Sequence, residues 1–162
     1  MRDMTPDDLH GETGVEHWLT YADGFRRCIY VVDKEIPYPE GRLIVSQTDP
    51  SGVITQANQS FVAMSGFSEA ELIGEQHYIL RHPDMPAAAF KDLWDTVRQG
   101  KKWTGYVKNL RKDGAYYWVF ASVVPNIRNG RIVGYTSVRR KPSRTKVNEC
   151  TALYRSMLEG AS

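Results

Sequence analysis

Two dipeptides that favour tight turns divide the second half of the chain into three β-prone segments. Asp113-Gly114 and Asn129-Gly130 each separate runs that are rich in aromatic and β-branched residues. Because such pairs accept the positive φ angles of short hairpin loops, they are strong local signals for antiparallel pairing. The sequence therefore predicts three consecutive antiparallel strands, over residues 104–111, 115–124 and 131–140.

A further hairpin is predicted upstream of these strands. The turn-forming residues 49–52 (DPSG) lie between two β-prone runs, residues 43–45 and 53–57. Helical signals follow this hairpin. Asn58 stands where a helix would begin, and Ser68 is followed three residues later by an acid, which is the pattern of a capping box.

The clearest helix is predicted over residues 87–99. Apolar residues recur there at helical spacing, at Phe90, Leu93, Trp94 and Val97. The order of two strands, several short helices, one longer helix and three strands is typical of an α+β fold. We expect a five-stranded antiparallel sheet with helices on one face. The space between helices and sheet is the usual kind of place for a ligand pocket.

The flanks of this central unit, which is predicted over residues 41–141, carry patterns of their own. Residues 1–12 are polar and are expected to be frayed. Apolar residues then recur at helical spacing, at Val15, Trp18, Leu19, Ala22 and Phe25. We therefore expect residues 1–40 to form an N-terminal extension with a short amphipathic helix, and residues 142–162 to form a C-terminal helix or linker.

Composition and charge argue against several classes of partner. A net charge of +2 over 162 residues gives no strong footprint for nucleic acid or a membrane surface. The basic run 139–141 (RRK) is interpreted as solvated surface. No apolar run approaches the ~20 residues that span a bilayer, and the acidic start is unlike a secretory signal. We expect a cytoplasmic protein in which Cys28 and Cys150 are free thiols.

Several motifs add a family resemblance. Residues 49–58 (DPSGVITQAN) and 65–74 (SGFSEAELIG) resemble two segments that occur across PAS sensor domains. A sharper likeness is to the PAS domains of bacterial aerotaxis receptors, which hold FAD non-covalently. It is carried by residues 81–86 (RHPDMP), Trp94, residues 103–105 (WTG), 107–109 (VKN) and 117–119 (YWV).

The resemblance implies the PAS fold and a flavin, FAD in preference to FMN, in a sensor of redox or oxygen state. Indole rings can pack against a planar ring, side-chain amides suit a flavin edge that presents both donors and acceptors, and a guanidinium suits phosphate. The cofactor-binding candidates are Asn58, Arg81, His82, Asp84, Trp94, Trp103, Asn109 and Tyr117.

Most of these candidates also have an interpretation without a ligand. Trp94 lies on an apolar helix stripe and Tyr117 in a strand, so both suit the core. Asn58 suits a helix N-cap. Residues 81–84 suit a local structural cluster, and the nearby His77 is expected at the surface.

Other functions remain open at this stage. A haem sensor would need an axial ligand, for which His77 and His82 are available. A PAS module without a ligand would serve to dimerise. A light-oxygen-voltage photosensor needs a cysteine in the pocket, and neither cysteine lies in a predicted pocket element. An enzyme is not predicted, because no catalytic triad order, phosphate loop or metal-ligand spacing occurs. The expected partners are FAD, a second copy of the chain and a downstream signalling protein, with neither nucleic acid nor a membrane span.

Overall fold

The predicted hairpin strands form most of a five-stranded antiparallel sheet in the computed structural model, which describes residues 1–160. Its strands are β3 (Ile44–Thr48), β4 (Ile54–Ala57), β5 (Trp103–Leu110), β6 (Tyr116–Arg128) and β7 (Arg131–Arg140). They lie in the order β4-β3-β7-β6-β5. The first strand of the sheet is thus paired with the last, and this long-range pairing brings the two predicted hairpin systems into one sheet.

The helices confirm the capping signals. They are α1 (Gln59–Ser65), α2 (Glu69–Leu72), α3 (Ala87–Arg98) and α4 (Arg144–Gly160), with a 3-10 turn at His77–Leu80. Asn58 caps α1 by accepting a hydrogen bond from the Phe61 N–H at 3.0 Å. Ser68 and Glu71 form the predicted capping box of α2. Local sequence therefore specifies where the short helices begin.

The main core lies between the sheet and helices α1 to α3. Alternate residues of β6 point into it, and they are Tyr117, Val119, Ala121 and Val123. The intervening Trp118 lies on the other side of the sheet, where its ring stacks with Tyr154 of α4 at 6.2 Å. The helices that enclose the core thus lie on one face as predicted, while α4 covers part of the opposite face.

The predicted N-terminal helix is wrong. The residues over which it was expected, 15–25, form the strand β1 (Val15–Thr20) and a turn, and β1 pairs antiparallel with the following strand β2 (Arg26–Val31). The hairpin turn includes Gly24 at φ +88°, a conformation that glycine adopts without strain. β2 buries Ile29 in a small second core, so tertiary packing overrides the helical spacing of the apolar residues.

The first residues are also ordered rather than frayed. They form a 3-10 turn at Pro6–Leu9, and Met4 and Leu9 are buried in the second core with Ile29, Val32 and Leu110. The main-chain N–H of Met4 bonds to the Cys28 carbonyl at 2.9 Å. The N-terminal segment is thus held against the hairpin by both apolar burial and backbone hydrogen bonding.

Gly134 marks a close approach between β7 and β3. A Cβ atom at this position would lie 2.3 Å from the carbonyl oxygen of Thr48. Because that neighbour is backbone, Gly134→Ala should force the two strands apart and destabilise the protein by ~1–3 kcal/mol. Urea unfolding would measure this loss. The neighbouring Val133→Ala, at an exposed position, should change stability by less than ~0.5 kcal/mol. Equal effects of the two substitutions would contradict the steric argument.

Candidate functional site

A buried arginine lies on the inner face of β7. Arg139 is 2% exposed, and its Nη2 donates to the Ser46 hydroxyl of β3 at 2.5 Å. Its Nη1 lies 3.1 Å from Nε2 of His77, and its guanidinium stacks on the Phe61 ring at 4.5 Å. The prediction that residues 139–141 form solvated surface is therefore wrong for Arg139. Strand alternation turns Arg139 inward and the next residue, Arg140, outward.

Among the described residues, no carboxylate balances the charge of Arg139. Its immediate partners are a hydroxyl, an imidazole and an aromatic ring. Burial lowers the pKa of the Arg139 guanidinium to about 10, and the Tyr117 and Tyr38 hydroxyls oppose that shift. A buried cation without a counter-ion costs free energy, because the interior solvates it less well than water does. Such a charge suits a ligand that brings electron density to this part of the core.

His77 contributes to the same cluster. We expected this histidine at the surface, but its Nε2 faces Arg139 and lies 3.4 Å from the Ser46 hydroxyl. Burial and the neighbouring positive charge lower the pKa of His77 to about 3. The ring is therefore neutral at physiological pH, and its Nε2 serves as an acceptor for the Arg139 N–H.

Several polar atoms of the core have no hydrogen-bond partner among the described residues. On the inner face of the sheet they are the Tyr117 hydroxyl, the Thr48 hydroxyl and Nε of Arg139. Burial raises the pKa of Tyr117 to about 12, so its hydroxyl stays protonated and available as a donor. Buried polar groups are normally satisfied, and a bound polar molecule is one way to satisfy them.

The fold brings together two of the predicted cofactor-binding residues, Asn109 and Tyr117. They face each other in the β5–β6 register, and Asn109 is 4% exposed. The backbone of Asn109 also forms a β-bridge with Arg81, so the loop after the 3-10 turn is attached to the edge of β5. A side-chain amide here can both donate and accept inside the core.

The two candidate tryptophans flank the interface between α3 and the sheet. The Trp94 ring meets Tyr135 of β7 edge to face at 5.4 Å, and Arg98 lies 5.2 Å from it. Trp103 donates from Nε1 to Asp92 at 2.9 Å, and its indole lies over Gly105, where a Cβ would be 2.4 Å from the ring. Both indoles therefore contribute apolar surface to the core.

Asn58 is engaged with the backbone. Its Oδ1 accepts from the N–H of Phe61 at 3.0 Å and of Val45 at 3.1 Å, and its Nδ2 donates to the Leu43 carbonyl at 2.9 Å. The side chain thus ties α1 to β3. Its use in binding a cofactor stays a prediction, and its structural role is that of a cap.

The remaining candidates lie at the edge of β5. Asp84 pairs with Lys108 at 2.8 Å, and Lys108 alternates with Asn109, so its side chain is on the opposite side of the sheet. His82 is 1% exposed and accepts the Asp84 N–H through Nδ1 at 3.0 Å. The structure therefore separates His82 and Asp84 from the cluster around Arg139.

The protonation of His82 follows from this geometry. Because Nδ1 accepts a hydrogen bond, the neutral ring carries its proton on Nε2, which is buried and has no partner among the described residues. Burial and the Lys108 ammonium lower the pKa of His82 to about 3. His82 is therefore a neutral donor.

Comparison with known proteins agrees with this architecture. A family model described as "PAS fold" matches residues 54–139, more than half of the chain. The chain belongs to the PAS-fold family. The PAS assignment is supported by an aerotaxis receptor from Escherichia coli (strain K12), which is 42% identical over 131 residues. That match covers 81% of this chain and 26% of the receptor, so the chain spans about a quarter of this relative.

Two further proteins are similar to this PAS chain. Phototropin-2 from Oryza sativa subsp. japonica is 32% identical over 104 residues, which is 63% of this chain and 11% of that protein. The light-state structure of the blue-light photoreceptor Aureochrome1 LOV superposes with a TM-score of 0.59 at 25% identity, covering 65% of this chain and 89% of that one. These relatives place the PAS domain among sensory domains.

Sequence reasoning missed part of the PAS core. Ser46, Phe61, His77 and Arg139 form a buried cluster, and none was among the flavin-binding candidates, although His77 was considered as a haem ligand. One signal was present, because the alternation that buries Tyr135 also turns Arg139 inward. In the described part of the chain, residues 1–160, no helix is long and apolar enough to cross a membrane.

Proposed function

We propose that this PAS domain binds a flavin and senses redox or oxygen state in signal transduction. The observation that carries the proposal is the buried guanidinium of Arg139, which within residues 1–160 lacks a carboxylate partner and lies beside unsatisfied hydroxyl groups. A bound flavin supplies reversible electron transfer. Its carbonyl oxygens and ring nitrogens match a site that offers a cation, a protonated hydroxyl and an amide.

Each neighbouring residue has a defined part in this proposal. Arg139 holds positive charge near the electron-rich edge of the ring and favours the reduced form, which gains negative charge. Tyr117 donates a hydrogen bond, and Asn109 can switch between donor and acceptor as the ring gains a proton. The indoles of Trp94 and Trp103 exclude water from the apolar part of the ring.

FAD is the flavin that we propose. The support is the likeness of residues 81–86 to the aerotaxis receptors, together with the 42% identity to the receptor from Escherichia coli. A dinucleotide extends beyond the ring-binding core, and the loop at residues 81–86 leaves that core at the edge of β5. A second copy of the chain and a downstream signalling protein remain the proposed partners of this cytoplasmic sensor, and no enzymatic activity is proposed.

The two principal rivals are less consistent with the geometry. A haem sensor needs a free imidazole nitrogen, whereas Nε2 of His77 is directed at Arg139 and Nε2 of His82 carries the proton. A photosensor that bonds a cysteine to flavin needs a thiol in the core. Cys28 lies on β2 of the N-terminal hairpin, and Cys150 lies on α4. Reversible redox sensing is therefore preferred to photochemical bond formation.

The direct test is an absorption spectrum of the purified chain, with the released cofactor identified by mass spectrometry. We expect the blue-region bands of an oxidised flavin and the mass of FAD, and bleaching of the bands by dithionite that air reverses. A sharp Soret band would instead identify haem. A colourless protein that takes up neither FAD nor FMN would favour a dimerisation module without a ligand.

A further inference from the structure

The N-terminal hairpin packs directly on the segment that leads into residues 81–86. The Tyr21 ring stacks on Tyr78 of the 3-10 turn, with centroids 4.0 Å apart and planes 9° from parallel. The Tyr78 hydroxyl donates to Asp23 at 2.8 Å. The turn between β1 and β2 is therefore fixed against the loop that bears Arg81.

Two arginines lie at this junction, and in the part of the chain that the structure describes neither has a carboxylate partner. Arg27 is 3% exposed, and it donates from Nε to the Arg2 carbonyl at 2.8 Å and from Nη1 to the Ile79 carbonyl at 3.3 Å. Arg81 stacks on the Phe90 ring at 5.3 Å, and its buried Nε has no hydrogen-bond partner among residues 1–160. Carbonyl oxygens and an aromatic ring do not neutralise a guanidinium charge as a carboxylate would, although Arg81 is partly exposed to solvent.

The Tyr21 hydroxyl marks the place where the two charges converge. Burial raises the pKa of Tyr21, while the nearby charges of Arg27 and Arg81 act in the opposite direction. This hydroxyl is buried and lacks a hydrogen-bond partner in the described part of the chain. The junction thus presents two guanidinium groups and a protonated hydroxyl, a set of donors that is complementary to an anion with several oxygens.

Solvent reaches Arg27 through a surface groove. The groove has a volume of about 230 Å³ and lies between the first residues of the chain and α2. Apolar side chains that line it include Met1, Phe67, Ile73 and Ile79. The groove is also lined by Asp8, Glu71 and Glu75, and each of these carboxylates is paired with a cation, namely Arg2, Lys112 and the N-terminal ammonium respectively. With those charges paired, a ligand with an anionic end can approach Arg27 from outside without displacing the hairpin.

We propose that Arg27 and Arg81, with the Tyr21 hydroxyl, bind the phosphate groups of the flavin cofactor, so that the N-terminal hairpin is part of the cofactor site. This inference rests on the proposed function. Arg81 belongs to the part of the chain that matches the PAS family model, whereas Arg27 precedes it. Arg27 is therefore a binding residue that this chain adds to its PAS domain, and phosphate oxygens supply the negative charge that the junction lacks.

The test compares ligands that differ only beyond the flavin ring. Apo-protein would be titrated with FAD, FMN and riboflavin by fluorescence, and with inorganic pyrophosphate by thermal shift. We expect the unmodified chain to bind FAD and FMN at least tenfold more tightly than riboflavin. In Arg27→Gln that preference should disappear, with riboflavin affinity unchanged. The matched control is Arg26→Gln on the same strand, whose exposed guanidinium stacks on Trp18 and which should keep the preference.

The outcomes separate this inference from the proposed function. If Arg27→Gln lowers the affinity for riboflavin as much as the affinity for FAD, the effect is loss of hairpin structure and the inference fails. If Arg27→Gln retains the full preference for FAD, the inference also fails while flavin binding stands. If no flavin binds, the thermal shift with inorganic pyrophosphate tests the anion site on its own. Stabilisation of the unmodified chain but not of Arg27→Gln supports the anion site, and stabilisation of neither overturns it.

Discussion

Replacing Arg139 with methionine is expected to lower flavin affinity about 10- to 100-fold while leaving the apo-protein folded. The loss corresponds to ~1.5–3 kcal/mol, the usual contribution of a hydrogen bond to a charged group. In the apo-protein two effects offset each other. The substitution removes a buried charge without a counter-ion, but it leaves Ser46 and His77 with one partner fewer. We therefore expect the unfolding free energy of the apo-protein to change by less than ~2 kcal/mol.

The same substitution should make the flavin harder to reduce. Positive charge near the ring stabilises the form that gains electrons, so its removal lowers the midpoint potential. Each 1.4 kcal/mol of lost stabilisation corresponds to about 30 mV for a two-electron couple. Titration of the bound flavin with a reductant in the presence of a reference dye would measure this shift.

Arg140 offers a matched control for this prediction. It is the next residue on β7, has the same side chain and is exposed. Arg140→Met should leave flavin affinity and the midpoint potential unchanged, because its charge is solvated on the outer face. If Arg139→Met bound FAD as tightly as the unmodified chain, Arg139 would have no part in the cofactor site.

Acid is expected to destabilise the apo-protein well before its carboxylates are protonated. The pKa of His82 is held at about 3 in the folded chain and has an ordinary value of 6.5 when the chain unfolds. Above pH 6.5 both states are neutral at His82, so the residue contributes no pH dependence. Between pH 6.5 and about 3 the unfolded state binds a proton that the folded state excludes, and stability falls by up to ~1.4 kcal/mol per pH unit.

The charges around His82 set the direction of this effect. Lys108 and His17 lower the pKa of His82, whereas the Asp84 carboxylate raises it, and burial is the largest cause of the net decrease. At pH 5 the cost from His82 should be ~2 kcal/mol. His77, whose pKa is also lowered to about 3, should contribute in the same pH range.

Chemical denaturation at pH 7 and pH 5 would measure the difference. His82→Asn keeps an acceptor near the position of Nδ1 and has no titrating group, so the stability loss between the two pH values should shrink by ~2 kcal/mol. His10→Asn is the control, because His10 is exposed and adopts a left-handed conformation that asparagine tolerates. An unchanged pH dependence in His82→Asn would show that His82 protonates freely in the folded chain.

Local sequence signals were sufficient to predict turns and helix caps, because these roles depend on residues that are close together in the sequence. Asp113-Gly114 and Asn129-Gly130 form the two turns of the β5-β6-β7 meander, and Asn58 and Ser68 cap helices as predicted. Each of these roles is set by backbone conformation and by hydrogen bonds that span a few residues. The helical prediction near Trp18 failed because spacing alone does not show whether an apolar residue will find a packing partner in a helix or a hairpin.

The sequence by itself determined the order of the elements, the turns and the family motifs, because these depend on local propensity and residue spacing. Only the tertiary structure decided which polar side chains are buried together. Ser46 and Arg139 are 93 residues apart and meet because β3 pairs with β7. Arg27 meets the segment before Arg81 because the N-terminal strands fold as a hairpin against the 3-10 turn. A buried charge is recognisable only when its surroundings are known, since the same arginine on the outer face would be ordinary surface.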